Sequence, residues 1–346
     1  VISDKRVVHH VKEWLGVDQE NFYWLTKDDG EGHLDFFNKL TTFIDHKGLE
    51  VLVICTIPSH YVYYWAFLKQ IHIFTILTLH NLNTWLKPKL TYRLPDLYTY
   101  FMIKSILNQV SSVAVLEQNL RNYIKENNLL NKPIFIFPYE LWEGFFSKQP
   151  ARLTQTINFV VPGTVQQKRK DFNHVLDAFQ YVAERNHNIA LTLLGSGRGS
   201  YAQDIFNRCI FLQKQGYNIS FYKEFVSVSE FQKVMQESDC IIAPIQLGFA
   251  IGCNQEYYGI TKSSGSVFDM IRYGKPGIFP EKFQANCDME TCTMKYRDKQ
   301  HLCELLLQLV NSKDELNRLQ DNAVKNAADC TVEKFRPQFA ELKKLL

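Results

Sequence analysis

Short apolar runs alternate with amphipathic segments along almost the whole chain. The runs have the length and the Val, Ile, Leu and Phe content of buried strands, and the segments between them have the apolar spacing of helices. Predicted strands cover residues 21–26, 49–57, 72–80, 111–117, 133–138, 157–163, 189–195, 219–226, 240–245 and 277–280. Because strands that are apolar on both faces alternate with helices, the pattern predicts an α/β fold with doubly wound parallel sheets.

The alternation of strands and helices starts twice. Residues 139–156 carry no periodic pattern and are predicted to connect a first domain, residues 1–150, to a second domain, residues 151–330. The first series opens on a helical segment at residues 5–15, so its first strand is expected to be missing. The second series ends with the strand at residues 277–280, which is predicted to close its sheet, and with two terminal helices.

Composition and charge are those of an ordinary globular protein. At 346 residues, with 46% apolar and 22% charged, the chain is long enough for two domains that each bury a core. The net charge of +3 does not indicate a nucleic-acid partner, and no apolar run reaches the roughly 18 residues of a spanning helix. The eight cysteines are dispersed, and the nearest pair, Cys287 and Cys292, lacks the further ligands of a zinc site. We therefore expect free thiols and a cytoplasmic location.

A loop that leads into a helix, within residues 257–280, has the features of a phosphate site. The small polar run TKSSGS precedes the helical segment VFDMIRY, and Gly274 ends that helix. Gly265 lets a ligand approach the backbone, and the unpaired first-turn N–H groups attract a phosphate. The candidate residues at this helix start are Thr261, Lys262, Ser263, Ser264, Gly265 and Ser266. An ordinary capped helix is the alternative.

A basic cluster follows the first strand of the second domain. Gly163 and Thr164 at the strand end allow close approach of the backbone to a phosphate. Lys168, Arg169 and Lys170 then place three cations within a few residues. Arg169 is the first candidate for a forked phosphate contact and Lys168 the second, while a solvated helix entry is the alternative. Because ligands of open α/β sheets bind at the carboxyl ends of the strands, the cluster and the helix start are expected to converge.

The order of these features resembles that of the GT-B glycosyltransferases, in particular the retaining family 4. In the second domain, VVPGTVQQKRKDFNHVLDAF, IALTLLGSG and MIRYGKPGIFP are similar to successive motifs of that family in order and spacing. In the first domain, TLHN at residues 78–81 and VAVLEQNLRNYI resemble family motifs more loosely. CTVEKFRPQFAEL resembles the terminal helix of the family, so residues 331–346 are expected to cross back onto the first domain.

The resemblance implies two Rossmann-like domains that face a central cleft. It also implies an enzyme that moves a sugar from a nucleotide-diphosphate sugar to a glycan or lipid-linked glycan, with retention and without a metal or other cofactor. His80 would polarise the sugar or stabilise the leaving phosphate, and the loop with Tyr222, Phe225 and Val226 would contact the base. Taken alone, a histidine at a strand end is more often structural, and this loop is a strand end with an exposed aromatic residue.

The chain departs from the family pattern where two glutamates are expected eight positions apart. Alignment on the G-K-P turn at residues 274–276 places Thr261 at the first position and Asp269 at the second. Asp269 can accept hydrogen bonds from ribose hydroxyls, whereas Thr261 cannot supply a negative charge. Lys262, Glu256 or backbone groups would then take over the contact with the sugar. The candidate catalytic residues are His80, Lys262 and Asp269.

Residues 69–132 contain more basic than acidic side chains. Eight lysines and arginines stand against Asp96, Glu117 and Glu126. The apolar residues interleaved with these cations are Tyr92, Leu94, Leu97, Tyr98, Phe101 and Met102. A basic face that bears aromatic residues suits an anionic lipid surface, so peripheral contact with the inner face of a membrane is expected. A core helix with solvated lysines is the alternative.

Three other functions fit part of the pattern. GSGRGS at residues 195–200 is spaced somewhat like a dinucleotide-binding loop, but it follows the second strand of its domain and lacks the expected acidic residue, which argues against a dehydrogenase. A GT-B nucleotide-sugar epimerase would turn over without an acceptor. A catalytically silent GT-B module, suggested by Thr261, would bind a nucleotide diphosphate without consuming a sugar donor.

Overall fold

Two larger parallel sheets organise the chain. A computed structural model describes residues 1–15, 22–142, 144, 156–285 and 287–346. We call residues 1–142 the N-terminal half and residues 156–328 the C-terminal half. The predicted connection at residues 139–156 lies largely outside the described residues. The α/β class with parallel sheets is confirmed.

The N-terminal half contains a four-stranded parallel sheet. The strands of this half are β1 (Ile2–Asp4), β2 (Leu25–Lys27), β3 (Val51–Ile54), β4 (Phe74–Thr78), β5 (Ser112–Val115) and β6 (Ile134–Ile136). Its helices are α1 (Val8–Leu15), α2 (His33–Lys47), α3 (Tyr61–Gln70), α4 (Leu82–Leu86), α5 (Leu94–Gln109) and α6 (Gln118–Glu126). Strands β3 to β6 pair in chain order, and β1 pairs with β2 separately. The chain thus opens on the strand β1 and not on the predicted helix. The sequence did not predict β1, because three residues are too few to give a strand pattern.

The C-terminal half contains a six-stranded parallel sheet in the order β14-β13-β10-β7-β8-β9. The strands of this half are β7 (Ile157–Pro162), β8 (Ile189–Leu194), β9 (Ile219–Phe221), β10 (Cys240–Ile242), β11 (Gly248–Ile251), β12 (Asn254–Tyr257), β13 (Gly277–Pro280) and β14 (Thr293–Tyr296). Of these, β11 and β12 pair with each other outside the six-stranded sheet. The helices of this half are α7 (Phe172–Ala183), α8 (Ser200–Lys214), α9 (Val228–Glu237), α10 (Gly265–Tyr273), α11 (Lys299–Asn311) and α12 (Lys313–Ala328), with a 3-10 turn at Cys287–Cys292. The helix α13 (Val332–Lys343) follows this half.

Three features of the C-terminal half differ from the sequence-based prediction. Strand β13 does not close the sheet, because β14 pairs with it in parallel and forms the edge. The stretch between β10 and the start of α10 contains the antiparallel hairpin β11–β12. Three helices, α11, α12 and α13, follow β14, where the sequence predicted two terminal helices.

The last helix, α13, packs on the N-terminal half. Strand residues Ile76, Ala114 and Phe135 form a buried cluster with Leu342 of α13. The amide side chain of Gln338 accepts from the Ile136 N–H at 2.8 Å and donates to the Ile136 carbonyl at 2.5 Å. The opposite face of the same sheet packs into a separate core with the helices of this half. Burial on both faces explains why these strands are largely apolar.

The hairpin β11–β12 carries a carboxylate that joins the two halves. The side chain of Glu256 is fully buried (0% exposed) at the start of α4. Its two oxygens accept from the Asn83 N–H at 3.2 Å and from the Thr84 N–H and hydroxyl, both at 2.7 Å. Because unpaired N–H groups begin a helix, a carboxylate there satisfies donors that the helix itself leaves unpaired.

Further hydrogen bonds join the two halves along the same segment. We call these contacts, together with those of Glu256, the seam. The Lys89 N–H donates to Asn254 at 2.8 Å, and the side chain of Asn119 donates to the Gly259 carbonyl at 2.6 Å. The Leu82 N–H donates to the carbonyl of Thr261 at 2.9 Å. The seam therefore fixes the segment that leads from β12 into α10 against the N-terminal half.

We expect Gly259→Ala to destabilise the protein by about 2 kcal/mol or more. Gly259 has a φ of +82°, and an added Cβ atom would lie 2.4 Å from the carbonyl oxygen of Gln284. Gly265→Ala is the matched control, because no heavy atom lies within 4 Å of the added Cβ there. Urea unfolding of both variants measures the effect, and equal stability would contradict it.

Candidate functional site

The carboxyl ends of two central strands meet through glycines. Gly163 follows β7 with a φ of 91°, a left-handed conformation that favours glycine. Gly195 follows β8, and a Cβ atom there would lie 2.4 Å from the carbonyl oxygen of Gly163. The two loops can approach each other this closely because Gly195 has no side chain.

Lys170 lies beside this edge of the sheet. Its Nζ atom donates to the carbonyl of Pro162 and lies 3.2 Å from the position of a Cβ atom on Gly163. Burial lowers the pKa of Lys170, the carboxylate of Asp269 opposes that shift, and Arg169 adds to it. Burial likewise raises the pKa of Asp269, and Lys170 opposes that shift. The loop after β7 and helix α10 therefore contribute an interacting acid–base pair.

Cations gather around Phe249 of the hairpin. The guanidinium carbon of Arg169 lies 5.4 Å from the centroid of the Phe249 ring, and Nζ of Lys262 lies 5.9 Å from it. Burial lowers the pKa of Lys262, and the charge of Arg169 lowers it further. Together with Lys170, these side chains place three positive charges near one edge of the sheet. We call Arg169, Lys170 and Lys262 the cation cluster.

The N-terminal half contributes two residues that follow β4. Nζ of Lys262 donates to Oδ1 of Asn81 at 2.6 Å. Nε2 of His80 lies 2.7 Å from the carbonyl oxygen of Cys55, and because that oxygen only accepts, Nε2 carries a hydrogen. Burial lowers the pKa of His80, the bond to Cys55 opposes this shift, and Lys262 adds to it. The imidazole is therefore neutral at pH 7, with Nδ1 as an acceptor.

Helix α10 begins three residues after Lys262. Ser264 occupies the N-cap position, but its side chain accepts no hydrogen bond from the helix. Thr261 does not cap the helix either, because its hydroxyl accepts from the Tyr257 N–H at 2.8 Å. Ser264 and Ser266 are buried, whereas Gly265 is exposed. Helix starts of this kind present N–H groups and a positive dipole end to an anion.

A cavity of about 280 Å³ opens beside α10. Its lining includes Phe225, Val226, Phe231, Gly265, Asp269 and Tyr273. Apolar and aromatic walls with the carboxyl groups of Glu140 and Asp269 can hold a flat heterocycle and hydrogen-bond an attached sugar. Tyr222 is not among the described residues that line this cavity, and its hydroxyl donates instead to Glu230 at 2.7 Å. Asp269 thus borders the cavity while interacting with Lys170 of the cation cluster.

Comparison with solved structures identifies the architecture. A glycosyltransferase from Rickettsia africae ESF-5 matches with a TM-score of 0.65 at 11% identity, over 99% of this chain and 89% of that one. TarM matches with a TM-score of 0.61 at 12% identity, over 89% of this chain, and the pneumococcal O-GlcNAc transferase GtfA with a TM-score of 0.62 at 9% identity, over 90% of it. The chain has the GT-B fold.

The GT-B architecture of two Rossmann-like units around a cleft is thereby confirmed. This chain spans 58% of the length of TarM and 60% of the length of GtfA. No protein-family model matches the sequence, and a search of curated proteins finds no match. In the part of the chain that the structure describes, no group of three or more His, Cys, Asp or Glu side chains could hold a metal ion.

The carboxylate missing at Thr261 is not replaced by Glu256 in this GT-B cleft. Both oxygens of Glu256 are engaged by α4, so the suggestion that this residue contacts the sugar is wrong. Thr261 itself is buried, with its hydroxyl bonded to the backbone of its own segment. Lys262 and backbone groups are the alternatives that remain, and Lys262 lies between the two halves.

In the loop after β7, the lysine that turns inward is not the one that the sequence analysis favoured. Thr164 and Lys168 are exposed on the surface, and Arg169 is exposed but lies against Phe249. Lys170 was not preferred, yet it is the lysine of this run that interacts with Asp269. A run of three cations carries no pattern that shows which side chain turns inward. Phe249 was missed because its hairpin was not predicted.

Glu117, after β5, is a buried acid that sequence reasoning did not single out. It is 3% exposed and lines a cavity of about 120 Å³ with Phe268 and Phe335. Burial raises its pKa to about 7, and Ser263 opposes the shift. An acid with a raised pKa in the folded state binds a proton there that the unfolded chain has already released. Its contribution to the free energy of unfolding therefore falls as the pH rises from 4.5 to about 7.

We expect Glu117→Gln to remove this pH dependence. The free energy of unfolding of the parent protein, relative to the variant, should fall by up to about 3 kcal/mol across that pH range. Urea unfolding between pH 4.5 and about 8 measures the difference. Glu126→Gln, at an exposed position of α6, is the control and should leave the pH dependence unchanged. The same pH slope in the parent and in Glu117→Gln would contradict the assignment.

Proposed function

We propose that the protein transfers a sugar from a nucleotide-diphosphate sugar to a glycan or lipid-linked glycan, with retention at the anomeric carbon. The observation that carries the proposal is the cation cluster, which lies beside both the start of α10 and the cavity. Arg169, Lys170 and Lys262 come from two separate segments and converge on one edge of the C-terminal sheet. Convergence of this kind is expected of a site for a highly charged anion.

The charges of the cluster favour a diphosphate. Besides burial, the charge of Arg169 lowers the pKa of both Lys170 and Lys262, so Arg169 repels each of the two lysines. A bound diphosphate would relieve that repulsion, and its electrostatic stabilisation by the cation cluster would increase as negative charge grows on the leaving group. The cluster would therefore stabilise the departure of the nucleoside diphosphate and bind the donor as well.

The cavity beside α10 would hold the nucleoside. Phe225, Phe231 and Tyr273 offer aromatic surface to the base, and the backbone near Val226 offers hydrogen bonds to its edge. Asp269 would accept from the ribose hydroxyls at the border between the cavity and Lys170. The neighbouring ammonium of Lys170 opposes the rise in the pKa of Asp269 that burial causes, and so favours the ionised carboxylate.

His80 and Lys262 would face the sugar from the opposite side. The neutral His80 can accept a hydrogen bond from a sugar hydroxyl through Nδ1 while Nε2 is held by Cys55. Lys262, held by Asn81, would lie between the sugar and the leaving phosphate. These contacts would hold the sugar between the two halves, where closure would exclude water that hydrolyses the donor.

The ligands of structural neighbours support this class of substrate. GtfA was crystallised with UDP and GlcNAc, and a TarM variant with UDP, alpha-GlcNAc-glycerol and fondaparinux. Uridine diphosphate is therefore the first nucleotide to test, and glycans the first acceptors. The position of Thr261 favours a second candidate, a GT-B module that binds the nucleotide without transfer, because no carboxylate stands at that point.

Incubation with a panel of nucleotide sugars tests the proposal. Release of a nucleoside diphosphate, slow with water and faster with a glycan acceptor, is the expected result. Conversion of the donor to another sugar without acceptor would indicate an epimerase. Binding of a nucleoside diphosphate with no donor consumed would contradict transfer and favour the binding module.

A further inference from the structure

An exposed apolar surface with a basic rim lies at the start of α5. The apolar members are Leu90, Tyr92, Leu94, Tyr98 and Phe101, which are exposed by 60%, 103%, 79%, 46% and 59%. The basic members are Lys87, Lys89, Arg93 and Lys104, all of which are exposed. We call these residues the α5 surface.

The inward face of α5 already fills the core. Ile103, Ile106 and Leu107 are buried in the N-terminal half. Leu94, Tyr98 and Phe101 are spaced four and three residues apart and so share another face of the helix. The helix α5 is therefore apolar on two faces. Its core face packs in the N-terminal half, and its outward face is exposed and suits an apolar partner.

The loop that carries the most exposed residues is anchored at its backbone. The Lys89 N–H donates to Asn254 at 2.8 Å, and the hydroxyl of Thr91 donates to Asp96 at 2.5 Å. The Arg93 N–H in turn donates to the hydroxyl of Thr91 at 3.3 Å. These bonds hold the loop while the side chains of Tyr92 and Leu94 project outward. An ordered loop loses less conformational entropy on binding than a free one.

The positive charge of the α5 surface indicates the kind of partner that fits it. Basic side chains alternate along the chain with the exposed apolar ones, and Asp96, the acid of this stretch, is bonded to Thr91. Aromatic and aliphatic groups next to lysine and arginine match the border between lipid headgroups and acyl chains, where tyrosine is also favoured. A surface of this composition is complementary to a bilayer that carries negative headgroups.

We propose that the α5 surface binds the face of an anionic lipid bilayer. Leu90, Tyr92 and Leu94 would enter the headgroup region, and Lys89 and Arg93 would contact the lipid phosphates. No helix within the described ranges is long and apolar enough to cross a membrane. The surface follows α4, which begins directly after His80 and Asn81, so binding would bring the N-terminal side of the cleft close to the lipid.

Sedimentation with vesicles tests the proposal without any sugar donor or acceptor, so the outcome is independent of the proposed transfer. The protein should bind vesicles that contain phosphatidylglycerol and fail to bind vesicles of phosphatidylcholine alone, and added salt should weaken the binding. The double variants Tyr92→Ser/Leu94→Ser and Lys89→Glu/Arg93→Glu should each bind about tenfold or more weakly.

The double variant Phe211→Ser/Lys214→Glu is the matched control, because it changes an exposed aromatic residue and a lysine on α8. It should bind like the parent, and thermal melting should show that all variants fold. Equal binding to both kinds of vesicle, or no binding to either, would overturn the proposal. So would a change in sedimentation coefficient in the α5 variants without vesicles, since the surface would then join two copies of the chain.

Discussion

Lys262→Met is expected to lower kcat/KM for the sugar donor by roughly 100- to 1000-fold. The lysine reaches from the C-terminal half to Asn81, and its charge acts on both His80 and the site of Arg169. It therefore lies where the sugar and the leaving diphosphate would meet. Methionine keeps most of the side-chain volume and removes the charge. Initial rates of nucleoside diphosphate release measure the effect.

Lys282→Met provides the control for this change. Lys282 is exposed on the C-terminal half, so its loss should leave the rate unchanged. Direct titration with the nucleoside diphosphate separates binding from catalysis in the Lys262 variant. A rate close to that of the parent would show that Lys262 only joins the halves, and the assignment of its charge to the reaction would then fail.

Glu256→Ala is expected to lower the free energy of unfolding by about 3 kcal/mol. The change removes the acceptor of the Asn83 N–H, the Thr84 N–H and the Thr84 hydroxyl at a buried position. Donors left without a partner in the interior cost more than the net value of the bonds they formed. Urea unfolding measures the loss.

Glu224→Ala is the matched control, because Glu224 is an exposed carboxylate of the same half. Its stability should stay close to that of the parent. The Glu256 variant should also lose donor turnover, since Glu256 and Lys262 belong to one segment held by the seam. A Glu256 variant as stable as the parent would mean that the contact with α4 contributes nothing to the union of the halves.

Locally determined features could be predicted from the sequence. The helix α10 ends at Gly274 as predicted, because glycine adopts the left-handed conformation there, with a φ of 59°. The central strands were found for a similar reason, since burial on both faces leaves a continuous apolar run. Such features depend on residues that are neighbours along the chain.

Features that depend on distant residues could not be predicted. The hairpin β11–β12 has no strand pattern, because one of its buried positions is Glu256, whose partners lie 172 and 173 residues away. The inward turn of Lys170 depends on the backbone around Gly163. The lowered pKa of His80 depends on its burial and on Lys262, and its tautomer depends on Cys55. Sequence spacing gave the candidate residues, but the pairing of acids with cations required the fold.

Calorimetric titration with UDP, GDP, ADP, dTDP and CMP tests the proposed nucleotide site. We predict that a nucleoside diphosphate binds, that CMP binds more weakly because it lacks the second phosphate, and that Arg169→Ala and Asp269→Ala each weaken binding by about tenfold or more. If none of the diphosphates binds, or if both variants keep the affinity of the parent, the cation cluster and the cavity beside α10 do not form a nucleotide-sugar site.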